Sequence, residues 1–67
     1  MPKKIRQLKG MLLKAGCKCD TAKGSHTKWS HSQVADKLIL SGKDGDDAKP
    51  YQENMVLQYL NEILNQP

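Results

Sequence analysis

Phenylalanine is absent from this chain, and its aromatics reduce to one tryptophan and two tyrosines. A hydrophobic interior must therefore rest on Leu, Ile, Met and Val with little aromatic help. No stretch approaches the ~18 consecutive apolar residues of a membrane span, and the sequence predicts no transmembrane helix. The basic start, Met1-Pro2-Lys3-Lys4-Ile5-Arg6, is not followed by the apolar core of a secretory signal. The expected compartment is thus the cytoplasm, where Cys17 and Cys19 stay reduced. A disulfide between two cysteines that close along a strand would be badly strained. Sixty-seven residues make a single domain, 1–67, with no visible linker, repeat or low-complexity segment. A domain of this size buries only about 60% of its unfolded surface. A deep substrate cavity is therefore not expected, and any active site should lie on the surface.

The charge that is present leans one way. A formal net charge of +4 and a pI near 9.2 favour a polyanionic partner, although charge speaks of association rather than fold. Residues 3–15 place Ile5, Leu8, Leu12 and Ala15 at three- and four-residue steps, with Met11 beside them. This spacing predicts a helix, with Lys3, Lys4, Arg6, Lys9 and Lys14 on its remaining surface. Gly16 stands where a helix commonly stops in the left-handed conformation. Residues 17–22 read as a short strand, with Cys17, Cys19 and Thr21 on one side and Lys18 and Asp20 on the other. Residues 25–30 read as its return strand. Residues 31–36 are polar and read as a loop, with Val34 able to join a strand, and residues 37–40 supply a brief third strand. Residues 41–49 collect Gly, Asp and Lys and form a loop. Pro50 suits the first turn of a helix, and Val56, Tyr59, Leu60, Ile63 and Leu64 continue that helix to residue 64. The order helix, three strands, helix predicts an α+β fold with two helices on one face of a three-stranded antiparallel sheet.

The stretch Lys23-Gly24-Ser25-His26-Thr27-Lys28-Trp29 concentrates the chemistry. Lys23-Gly24 makes the hairpin turn, because glycine tolerates the positive φ that tight loops require. Trp29 gains most from burial and should point to the core. Strand alternation then sends His26 and Lys28 to the opposite, open face. Ser25 is read as structural, its hydroxyl satisfying the turn. Cys17, Cys19, His26 and His31 invite a zinc reading, but C-x-C-x6-H-x4-H is not a common finger spacing. Asp44, Asp46 and Asp47 lack the downstream glutamate of a calcium loop. Neither a metal nor another cofactor is expected.

Leu12-Leu13-Lys14-Ala15-Gly16, then Lys23-Gly24-Ser25-His26, the aromatic at Trp29 and a closing helix rich in Leu and Ile form a recognisable succession. In this succession the chain resembles the HicA family of toxins, small messenger-RNA interferases of toxin–antitoxin pairs. The resemblance implies a double-stranded-RNA-binding-domain-like α-β-β-β-α fold. It also implies a catalytic histidine at His26 and inhibition by a HicB-like antitoxin that covers the site. Three places depart from the family's pattern: Leu40-Ser41-Gly42-Lys43 replaces a Pro-Arg-His-like stretch, Asp44-Gly45-Asp46-Asp47 is unusually acidic, and Lys49-Pro50-Tyr51 replaces a Gly-Thr at the last helix. The expected function is a metal-independent endoribonuclease acting on messenger RNA, with Lys23 and Lys28 holding phosphate. The alternative is a non-catalytic RNA-binding module of the same fold.

Overall fold

The computed structural model of the protein describes residues 3–21, 24 and 26–65. The apolar stripe of the first segment forms helix α1 (Ile5–Lys14), which buries Ile5, Leu8 and Leu12. Its end is set by backbone bonding around Gly16. The Cys17 N–H donates to the Leu12 carbonyl at 3.0 Å and the Gly16 N–H to the Leu13 carbonyl at 3.0 Å. That pairing needs a left-handed residue between them, and Gly16 supplies it with φ of 92°.

At the start of α1 the Gln7 side-chain carbonyl accepts the Lys4 N–H at 2.7 Å, and the acidic loop that follows the sheet serves the amides beyond it. Carbonyls of Asp46 and Asp44 accept the N–H groups of Ile5 and Arg6 at 2.9 and 3.2 Å. The carboxylates of Asp47 and Asp44 pair with Lys4 and Lys9, each at 2.6 Å. Asp46 Oδ2 accepts the Lys43 N–H at 3.1 Å. Orphan amides and the positive end of the helix dipole are thus answered by one loop. The aspartates that depart from the family pattern are occupied within this local network.

Three antiparallel strands follow, β1 (Lys18–Thr21), β2 (Thr27–His31) and β3 (Val34–Leu40), in the order β1-β2-β3. Helix α2 (Pro50–Leu64) closes the chain. Trp29, Leu38 and Leu40 of the sheet share one core with Ile5, Leu8 and Leu12 of α1 and Val56 and Tyr59 of α2. Both helices therefore cover the same face, and the architecture is the predicted α-β-β-β-α. Buried Gln52 has no place in the apolar pattern of the sequence. Its amide donates to the Ser41 carbonyl at 2.8 Å and its carbonyl accepts the Lys49 N–H at 2.8 Å, so it caps α2 and anchors the loop. Leu64, expected on the apolar stripe, is instead 81% exposed, one residue before the Asn65 C-cap where the helix ends. Among the described residues, no helix is long and apolar enough to cross a membrane.

The clearest correction concerns residues 31–36, which composition alone makes a loop. His31 instead ends β2, Val34 begins β3, and Ser32-Gln33 is a two-residue turn. The polar run misleads because β3 is an edge strand with one solvent face, where polar side chains cost nothing. Neither turn residue has positive φ, and unprimed two-residue turns splay their strands. The register records the adjustment: His31 pairs with Val34 and Trp29 with Leu38, so Ser30 faces three residues of a bulge. Tyr59 closes that bulge from α2. Its hydroxyl donates to the Asp36 carbonyl at 2.8 Å.

Candidate functional site

The orientation of β2 rests on a buried relay. The indole of Trp29 is 1% exposed, and its Nε1–H donates to Thr27 Oγ1 at 2.9 Å. Thr27 in turn donates to the Leu40 carbonyl of β3 at 3.1 Å. With two alternate side chains of β2 fixed inward, Lys28 between them is turned out, and it is exposed. His26 immediately precedes β2 and is also exposed. Gly24 lies in the connection between β1 and β2 with φ of 67°, the left-handed backbone expected of a turn glycine. Lys23 and Ser25, the other two residues singled out in this turn, lie outside the described residues.

The register adds what the sequence could not. Asp20 of β1 is the cross-strand partner of Lys28, and Ile39 of β3 is its partner on the other side. Lys18 pairs across with Ser30. Asp36 and Leu38 line a cleft with Met55 and Tyr59 on the helix side, so the alternating Lys37 and Ile39 lie on the open face. That face therefore carries Lys18, Lys28 and Lys37 from three different strands, with Asp20 and the 54%-exposed Ile39 among them. Sequence reasoning does not single out Lys18 or Lys37 as binding residues. The inward parity of Leu38 and Leu40 is the signal that could have found Lys37.

The second histidine is not brought to the first. His31 sits at the far end of β2, five residues on, or about 17 Å along an extended strand. It is half-buried, its Nδ1 accepts the Gln33 N–H at 3.1 Å, and its Nε2 lies against Gly16. Cys17 is buried and Cys19 exposed, both as free thiols. Among the described residues no group of three or more His, Cys, Asp or Glu could hold a metal ion. Two groups near His31 have altered acidity. Burial pushes the Cys17 thiol above its ordinary value. Burial, chiefly, does the same to the Tyr59 phenol.

The chain is thus a small α+β domain with two helices on one sheet face, an open opposite face and an exposed histidine just ahead of β2. A family model described as HicA toxin of bacterial toxin-antitoxin matches residues 5–64, which is nearly the whole chain. The chain belongs to the HicA toxin family. No curated protein and no solved structure matches it.

Proposed function

We propose that the protein is the toxin of a type II toxin–antitoxin pair and cuts messenger RNA with His26 as its acid–base residue. The observation that carries this reading is the placement of His26, exposed at the mouth of a strand whose alternation turns Lys28 outward. RNA holds its own nucleophile. The neutral imidazole takes the proton of a ribose 2′-hydroxyl as that oxygen attacks the adjoining phosphorus. The phosphorus–O5′ bond breaks, and the departing oxygen takes a proton from the imidazolium or from water. The products are a 2′,3′-cyclic phosphate and a 5′-hydroxyl end, and no redox partner enters the balance. An imidazole suits the task because its unperturbed pKa of about 6.5 makes both forms accessible near neutrality.

Lys28, together with Lys23, is assigned the phosphate, where a cation stabilises charge on the non-bridging oxygens. One imidazole on an open surface makes a modest enzyme, with acid–base help worth about 10²–10⁴-fold. A HicB-like antitoxin would silence the toxin by covering this same surface, in the cytoplasm where message is translated.

The test is incubation of purified wild type and His26→Ala with a long RNA, with and without EDTA. Expected are cyclic-phosphate products from the wild type in both conditions and none from the variant. Undiminished cleavage by His26→Ala would remove the mechanism. RNA binding without product from either protein would leave a non-catalytic binding module.

A further inference from the structure

We infer that the open face of the sheet, not the helix layer, is the surface that holds RNA, and that it holds a single strand through Lys18, Lys28 and Lys37. This inference rests on the nuclease reading for its ligand and extends it to two residues that reading does not use. The three lysines come from β1, β2 and β3 and are all exposed. Lys18 stands across from Ser30, which lies two residues along β2 from Lys28 on the same face. Lys37 lies in the β3 bulge that faces Ser30 from the other side. Lys28 and Ser30 thus follow one another along β2 at a step of about 7 Å, with His26 just ahead of the strand and a lysine on each flank of Ser30. Against these three cations stands the carboxylate of Asp20, opposite Lys28.

The footprint selects the kind of RNA. Three strands at about 4.8 Å spacing separate Lys18 and Lys37 by about 10 Å. Shape recognition of a duplex by a double-stranded-RNA-binding domain spans about 16 base pairs and two minor grooves, far more than this cluster covers. A few nucleotides of single strand fit it, with phosphates on the lysines and a base against the exposed Ile39 side chain. Single-strand surfaces with little sequence preference usually combine a basic track with aromatic stacking platforms. Here the apolar member is an isoleucine, so phosphate charge supplies most of the grip and binding should be strongly salt-sensitive.

The helix layer offers a rival cationic surface in Arg6 and Lys14 of α1, and the experiment compares the two. In a His26→Ala background, which keeps the RNA whole, affinity for a 20-nucleotide single strand is measured from low to high salt. The same RNA annealed into a duplex is the second probe. Every lysine–phosphate pairing abolished should reduce the slope of log K against log salt by about 0.7 for a single strand. Lys18→Ala/Lys37→Ala should therefore flatten the slope by about 1.4, whereas Arg6→Ala/Lys14→Ala should leave it unchanged. Unaltered Trp29 emission would certify the fold of each variant. An unchanged slope in the sheet variant, a drop in the helix variant instead, tighter binding of the duplex, or no RNA bound at low salt would each overturn the assignment. With His26 intact, Lys18→Ala/Lys37→Ala should raise KM and leave kcat. Failure of the nuclease reading shows separately, as cleavage that survives His26→Ala.

Discussion

Removing the indole of Trp29 would take away a fully buried aromatic and leave Thr27 Oγ1 without its donor. Aromatic truncations in cores cost about 3–5 kcal/mol, a large share of the stability available to a domain this small. Trp29→Ala should therefore be largely unfolded at room temperature, as seen by circular dichroism and denaturant titration. His26→Ala should behave oppositely, with wild-type unfolding and no cleavage, since its side chain is exposed. A midpoint that moves as far for His26→Ala as for Trp29→Ala would mean that the histidine is structural. For Trp29 and Lys28 the residue-scale reading holds, because a strand has a period of two and one inward side chain dictates its neighbours. It cannot supply cross-strand partners: Asp20 opposite Lys28 depends on a register fixed by the whole hairpin.

Between elements, two connections do more than link. The loop after β3 caps α1 through the carbonyls of Asp44 and Asp46 and through two lysine pairs. Exposed ion pairs contribute about 0–1 kcal/mol each. Asp44→Asn/Asp47→Asn should lower the unfolding free energy by roughly 1 kcal/mol, and the difference should shrink in high salt. No loss at either salt concentration would assign the loop's role to its carbonyls alone. The other connection is the hydroxyl of Tyr59 in the β3 bulge. Tyr59→Phe strips the Asp36 carbonyl of its donor, at a cost of about 1–3 kcal/mol. Hydrogen exchange should rise at the β2–β3 turn before it rises elsewhere, and uniform exchange would deny the phenol a local role. Both devices are invisible in the sequence. An edge strand with one wet face has no hydrophobic run to announce it, and a loop that caps a distant helix carries no local signature. The helices are legible because their apolar positions recur at fixed steps, and Gly16 marks the stop.

For the molecule as a whole, the altered acids set a direction for stability against pH. Cys17 has its folded pKa raised by burial above the ordinary thiol value of 9.0, and Tyr59 is raised above 10.0. In both, the folded state holds its proton after the unfolded chain has begun to lose it. Stability is then full below the unfolded values and falls as pH rises through and beyond them. Denaturant midpoints should be flat to about pH 8 and decline above about pH 9, and Cys17→Ala should soften the first part of that decline. A steeper decline in Cys17→Ala than in wild type would reverse the assignment.

The sole tryptophan also makes the protein its own gauge. Its ring is enclosed and hydrogen-bonded on the side of the sheet away from the open face, so its fluorescence should follow unfolding closely. A nucleic acid laid on the other side should neither quench nor shift it directly. Melting curves with and without RNA can therefore be read from one unlabelled signal, and any rise in the midpoint measures the ligand's affinity for the folded chain.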